Sequence, residues 1–285
     1  MEIKVEKKEK LIKFLIHNVQ GLSFANAQKM LRKGLIKVNN KRTKDNIDIV
    51  SGDIIDIFTP QISKPKVDIL YSDENILIVN KPAGIECATR DKSSENTYSL
   101  EELTSEYNGI IVHRLDRLTE GIVILARNKE IAVKFEEYFR KRKIDKFYKA
   151  FIYGKPSKDG IMTAYLYKDS INSKVKISDT KQDGYKEIIT EFKVIKEVNN
   201  NSLVDIKLHT GRTHQIRSHF HHLGHPIIND NKYTNDKNFI DCKYKGYFLT
   251  SYKVKFNLDD SDPLNYLNNL DIEITPSWLD FLKQS

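Results

Sequence analysis

A chain of 285 residues is long enough for one large or two modest domains, and 39% hydrophobic residues suffice for a packed core. With 30% charged residues and a formal net charge of +8, it holds no run near the roughly 20 apolar residues that a membrane helix needs. Two cysteines, Cys87 and Cys242, match no metal-ligand spacing and cannot build a disulfide framework, so a reduced, cytoplasmic setting is expected. The opening MEIKVEKKEK mixes charges without an apolar stretch, so no signal peptide is expected.

The charge is concentrated at one end. Residues 1–66 carry 12 Lys and 2 Arg against 3 Glu and 4 Asp, which puts +7 there and about +1 on the rest. A concentrated basic module fits a nucleic-acid-binding attachment and equally a solvated lysine-rich surface. In chain order, Leu11, Ile12, Leu15 and Ile16 share one side of a short helix over 9–17. Ser23 reads as the N-cap of a second helix with Phe24, Ala27, Met30 and Leu31 at helical spacing and Gly34 at its C-terminus. Lys29, Arg32 and Lys33 fall on its exposed positions. An alternating segment, Leu35 to Val38, turns at Asn39-Asn40 into Lys41-Arg42, and Gly52-Asp53 turns into a strand from Ile54 to Phe58. This places Lys29, Arg32, Lys33, Lys37, Lys41 and Arg42 on one RNA-grasping unit. Leu22-Ser23, Lys33-Gly34, Lys37-Val38-Asn39 and Gly52-Asp53 resemble the alpha-L RNA-binding domain across about residues 9–59.

Pro60 to Val67, with two prolines and few apolar residues, reads as a linker. The expected boundaries are therefore 1–60, a linker over 61–68, and a larger domain over 69–285. In that larger part Ile76–Val79 and Ile122–Ala126 are buried-strand runs. Residues 129–143 have helical spacing, Phe147–Tyr153 and Glu191–Val198 read as strands, and Trp278, Leu279, Phe281 and Leu282 suit a short docking helix.

Three segments carry candidate chemistry. Val112-His113-Arg114-Leu115-Asp116-Arg117-Leu118-Thr119-Glu120-Gly121 lies between apolar strands, where a sheet end displays functional groups. Flanking Arg114 and Arg117 favour an ionised Asp116. On residues alone, a turn whose Asp and Thr cap backbone amides is the favoured reading. Leu208 to His219 ends a strand at Thr210-Gly211 and starts a helix at once, with Arg212 and Arg217 available for a phosphate or a buried carboxylate. Six of the eight histidines lie between His209 and His225, but interleaved arginines repel a cation, and no metal is expected. Lys146-Phe147-Tyr148-Lys149-Ala150 alone is a strand with a core aromatic.

Taken together, Asn80-Lys81-Pro82-Ala83-Gly84, His113-Arg114-Leu115-Asp116-x-x-Thr119-x-Gly121, Lys146-x-Tyr148-x-Ala150 and Thr210-Gly211-Arg212-Thr213-His214-Gln215-Ile216-Arg217-x-His219 resemble the RluA-type pseudouridine synthases, over about residues 69–235. The likeness is closer to the RluC-like than to the RluD-like large-subunit ribosomal RNA enzymes. It implies an α/β mixed (α+β) fold, a small alpha-L RNA-binding domain beside a catalytic domain with a mainly antiparallel sheet. It implies isomerisation of uridine to pseudouridine in RNA, with Asp116 catalytic, Arg217 pairing with it and Tyr148 stacking on the target base. Arg114 would fill the gap left by the flipped nucleotide, while Arg212 and His214 join the RNA contacts. Leu118 and Glu120 depart from the family pattern, where a polar or acidic residue and a serine are usual, and Leu249-Thr250-Ser251 lacks a histidine often found there. An isomerisation demands no cofactor, and the chain has no P-loop or dinucleotide fingerprint. Large-subunit ribosomal RNA is the expected partner, with no membrane, no metal and a monomeric chain. Two rival readings remain open at this point: a non-catalytic RNA-binding or ribosome-assembly protein, and a metal-dependent RNA hydrolase.

Overall fold

The computed structural model describes residues 2–19, 22, 24–58, 65–88, 98–157, 159–169, 174–234, 240, 243, 244 and 246–282. They divide into two compact units, one extending to Pro65 and one running from Lys66 to Ala88 and from Ser99 onward. No described helix is long and apolar enough to cross a membrane.

The N-terminal unit comprises β1 (Glu2–Lys4), β2 (Glu9–Lys10), α1 (Leu11–Asn18), α2 (Phe24–Arg32), β3 (Ile36–Val38), β4 (Lys41–Arg42), β5 (Asp48–Ile49) and β6 (Ile54–Ile57). Helix α1 starts two residues later than its periodicity suggests, because Glu9 and Lys10 pair with Ile49 and Asp48 as strand. The expected cap Ser23 lies outside the described residues, as does the first half of the expected linker, 61–64. The apolar stripes of α1 and α2 (Leu11, Leu15, Ala27, Leu31) close over Ile36, Ile55 and Ile57. Asn39 and Asn40 turn between β3 and β4 with φ of 50° and 65°. Both lie in the left-handed region that a two-residue hairpin turn of this kind requires and that asparagine tolerates.

The larger unit comprises β7 (Asp68–Ser72), β8 (Ile76–Lys81), α3 (Leu100–Leu103), β9 (Ile110–Ile111), β10 (Glu120–Ala126), α4 (Lys129–Arg140), β11 (Ile144–Tyr153), β12 (Gly160–Asp169), β13 (Lys174–Ser178), β14 (Lys186–Val198), β15 (Asn201–Leu208), α5 (Gln215–His222), β16 (Leu249–Phe256) and β17 (Ile272–Glu273). One sheet runs β13-β12-β14-β15-β11-β16-β10-β8-β7, with β17 beside β16 and β9 beside β10. Among the described strands only β10 and β16 pair in parallel. The fold is thus α+β around a mainly antiparallel sheet.

Period-two alternation sorts the two faces of this sheet. Leu77, Val79, Val123, Leu125, Ala150 and Val204 point to the face covered by α3 and by Ile216 and Phe220 of α5. Ile76, Ile78, Ile122 and Ile124 point to the other, covered by Ile131, Phe135 and Tyr138 of α4 and by Leu264 and Leu267. Helix α4 stops at Arg140, short of the expected Lys143, and Arg142 takes φ 57°. The expected C-terminal helix is a short 3₁₀ turn over Leu279–Leu282.

Candidate active site

Asp116 sits on the connection from β9 into β10. Its carbonyl accepts from Thr119 N–H at 3.1 Å, closing a tight turn. Leu115 anchors the turn in the core, with its N–H donating to Cys87 Sγ at 3.3 Å. From the end of β8 the ammonium of Lys81, fully buried, donates to the carbonyls of Ile85 at 2.8 Å, Pro82 at 3.0 Å and Arg117 at 3.3 Å. Burial pulls its pKa down to about 8. Gly84 N–H donates to the Arg117 carbonyl at 2.8 Å as well. The Lys81–Gly84 segment therefore pins the turn that carries Asp116. After the turn, β10 crosses β16 so closely that a Cβ on Gly121 (φ +126°) would stand 2.3 Å from the Ser251 carbonyl oxygen. Only glycine fits there.

Helix α5 supplies the partner. Arg217 is 2% exposed and donates from Nη1 to Asp116 Oδ2 at 2.7 Å. Its Nε and Nη2 hold Asp230 at 2.6 and 2.9 Å, and Nη2 also donates to the Tyr247 hydroxyl at 2.9 Å. Burial opposes the guanidinium charge, but the hydrogen bonds and charge of Asp230, then the charge of Asp116, outweigh it and raise its pKa. Among the described residues the cation in ion-pair contact with Asp116 is this arginine, since Arg114 and Arg117 are exposed and make no such pair. His214, expected among the RNA contacts, is half-buried on the cleft wall beside the carboxylate. Its Nε2 lies 3.8 Å from Asp116 Oδ1 and its Nδ1 is 3.0 Å from the Tyr233 hydroxyl. Burial lowers its pKa to about 4. His214 takes φ 55°, so α5 starts at Gln215 rather than directly after Gly211, and Arg212 lies outside the helix on an exposed turn.

Tyr148 stands on β11, two strands from β10. The register of β11 against β16 slips at this point: Phe147 faces Lys253 and Tyr148 faces Ser251, with Tyr252 passed over. Such bulges re-aim a side chain beside a functional site. Tyr148 is 6% exposed, and burial raises its pKa. Asp116, Tyr148 and Arg217 all line one cleft of about 690 Å³, together with Arg114, Arg212, His214 and Leu249. Thus the β9–β10 connection, α5 and β11, remote in sequence, deliver a carboxylate, its guanidinium partner and an aromatic ring to one opening. The Arg140, Arg142 and Lys146 side chains line the cleft too. No role was read for them in the sequence. Lys146 belongs to the Lys146-x-Tyr148-x-Ala150 motif, and Arg140 and Arg142 close the basic end of a predicted helix. Asp230 and Tyr247 were also missed, and an acidic residue in the loop after α5 was the available signal.

The remaining expected contacts, Lys29, Arg32, Lys33, Lys37, Lys41 and Arg42, lie in the N-terminal unit. Lys37 faces Arg42 across the β3–β4 hairpin, on the side opposite the buried Ile36 and Val38. The clustered histidines go separate ways. His209 meets Glu191 at 2.7 Å, His219 meets Thr190 at 3.1 Å and His222 meets Asp179 at 2.9 Å. Among the described residues, no three His, Cys, Asp or Glu side chains gather as metal ligands would. Glu120, a departure from the family pattern, is buried. It accepts from Thr250 Oγ1 at 2.7 Å and from Ser277 Oγ at 2.6 Å, tying the C-terminal segment to the start of β10.

Residues 75–222 match the family model for RNA pseudouridylate synthase. The chain is 31% identical to an uncharacterized RNA pseudouridine synthase of Mycoplasma capricolum, over 97% of both chains. It is 36% identical to ribosomal large subunit pseudouridine synthase C of Rickettsia bellii, over 76% of this chain and 80% of that one. Among solved structures it is similar to human RNA pseudouridylate synthase domain containing 4, with TM-score 0.60 and 19% identity over 76% of this chain and 92% of that one. That last likeness is one of fold.

Proposed function

Because the chain belongs to the RNA pseudouridylate synthase family and is an RNA pseudouridine synthase, we propose that it acts on uridines of large-subunit ribosomal RNA in the cytoplasm, with the Asp116 carboxylate as its catalytic group. The observation that carries this reading is the 2.7 Å Arg217–Asp116 pair at a cleft whose wall contains Tyr148. The name of the Rickettsia bellii relative, ribosomal large subunit pseudouridine synthase C, supports the choice of RNA.

In the reaction the N1–C1′ bond of uridine breaks and a C5–C1′ bond forms. The proton on C5 is released and N1 carries one in the product, so substrate and product are isomers. A carboxylate beside the electron-poor C1′ stabilises or traps it, as carboxylates do at glycosidic centres. Arg217 holds the Asp116 carboxylate in place through Nη1, because its Nε and Nη2 are committed to Asp230. Taking the base out of the stack costs a few kcal/mol, and stacking on Tyr148 offsets part of that. Arg114 occupies the gap in the RNA, Arg212 contacts phosphate, and the basic face of the N-terminal unit adds sequence-independent affinity. Departure of Glu120 from the family serine leaves this chemistry in place, since Glu120 turns away to Thr250 and Ser277.

The test is to map pseudouridines across ribosomal RNA with and without this protein. Specific sites in large-subunit RNA should vanish in its absence and return when purified protein acts on unmodified RNA. An unchanged map would overturn the choice of substrate.

A further inference from the structure

Beside the active-site cleft lies a second, smaller one of about 350 Å³, lined by Tyr167, Lys168, Lys186 and Arg212 and by no acidic side chain. Gly211, Arg212 and Thr213 line both clefts, so the two share a rim. Tyr167, which lines the smaller one, stacks on Tyr185, with ring centroids 5.3 Å apart and planes 28° from parallel.

The local structure builds this pair deliberately. Tyr167 leaves β12 opposite Lys176 of β13. Tyr185 follows a tight turn in which its N–H donates to the Gln182 carbonyl at 3.1 Å. Gly184 completes that turn at φ +75°, and a Cβ added there would meet the Tyr167 ring at 3.5 Å. Neither ring belongs to the small core beneath, which is Ala164, Leu166 and Ile188. Tyr167 remains 39% exposed. The nearby Asp179 is occupied by His222 at 2.9 Å. The pair thus lies outside that core, Tyr167 exposed and Tyr185 half-buried, and the cleft that Tyr167 lines carries three cations, Lys168, Lys186 and Arg212.

We propose that Tyr167 and Tyr185, with Lys168, Lys186 and Arg212, form a stacking subsite for unpaired nucleotides that flank the target uridine. This rests on the enzymatic reading above and extends it to the neighbouring RNA. Every base presents a π-face, and tyrosine faces bind it without regard to sequence, while lysines and arginine follow the phosphates. A target base must leave the stack to reach Asp116, which favours a flank that is already single-stranded. The shared Gly211–Thr213 rim is the path such a strand takes from one cleft to the other.

The test uses the full chain and two RNA hairpins with the target uridine in the loop, one with a six-nucleotide single-stranded extension beside it and one without. A 2-aminopurine in the extension reports stacking through quenching. Wild-type protein should bind the extended RNA more tightly and quench the probe. Tyr167→Ala/Tyr185→Ala should lose the quenching and bind the extended RNA about tenfold more weakly, the scale of base–aromatic stacking. Its affinity for the unextended hairpin should hold, and Tyr167→Phe/Tyr185→Phe should keep both properties. Should the alanine pair fail to fold, Lys168→Gln/Lys186→Gln provides the second arm, lowering the salt slope for the extended RNA alone by about two. Equal wild-type affinity for the two hairpins, or full quenching by the alanine pair, would overturn the subsite. Quenching and tight binding without release of tritium from 5-tritiated uridine by wild-type protein would instead sink the enzymatic reading and leave the subsite standing.

Discussion

The buried Asp230 carboxylate takes the Nε and Nη2 of Arg217 at 2.6 and 2.9 Å, and this decides which nitrogen remains for Asp116. A guanidinium held at two corners has little rotational freedom, so its third nitrogen points one way. Removing one member of such a buried pair leaves the other charged and unpaired, at a cost of roughly 3–5 kcal/mol. Arg217→Met should therefore lower unfolding free energy by about that amount in urea titration. Arg217→Met/Asp230→Leu should recover much of it while remaining inactive. Recovery of turnover by the double variant would show that Arg217 serves the fold alone.

Arg212 and Arg217 belong to one motif but play different parts. Arg212 is exposed on the turn shared by two clefts, and Arg217 is enclosed. Arg212→Met should reduce the slope of log affinity against log salt by about one, as loss of one phosphate contact does. Arg217→Met should leave that slope near wild type. Filter-binding titration over a range of salt reads both.

The basic face of the N-terminal unit gives a parallel expectation. Lys37 and Arg42 face each other across the β3–β4 hairpin, and Lys41 lies beside them. Lys37→Gln/Lys41→Gln/Arg42→Gln should weaken RNA binding across sequences and lower the salt slope by about three. An unchanged slope would make this face a solvated surface and not an RNA anchor.

Three histidines set the acid limb of stability. Burial lowers His113 to about 3 and His214 and His219 to about 4. His113 Nε2 accepts from the Ile124 N–H at 2.9 Å, which only a neutral ring can do. In the unfolded chain these rings titrate near 6.5. Between pH about 6.5 and 4 the unfolded chain binds protons that the folded chain does not, so stability falls as pH falls through that window. Thermal unfolding followed from pH 7.5 to 4.5 should show this fall, and His219→Gln should flatten it by about one proton.

Much of this architecture was written in local sequence. Val79 and Ile124 lie in apolar runs that read as strands, and the spacing of Phe135 and Tyr138 gave the helix that covers one face. Elements defined by partners were not readable. Glu9 and Lys10 are strand only because Ile49 and Asp48 lie opposite. The strands around Tyr165 and Lys176 alternate too weakly to announce themselves and are held by pairing in the sheet. The site divides in the same way. Asp116, Tyr148 and Arg217 stood out as residues of a family pattern, whereas their convergence depends on strand order and on the slip at Tyr148. Asp230 was marked in the sequence only as an acidic residue in a loop, since its importance comes from being fully buried against Arg217.

Single-turnover release of tritium from 5-tritiated uridine RNA by Asp116→Asn tests the central claim most directly. The substitution keeps the shape of the side chain and an oxygen for the Arg217 Nη1–H, so folding and RNA affinity should stay near wild type. Tritium release should fall to background at saturating protein, with no pseudouridine in the recovered RNA. Substantial release by a folded, RNA-binding Asp116→Asn protein would contradict the assignment of the catalytic group.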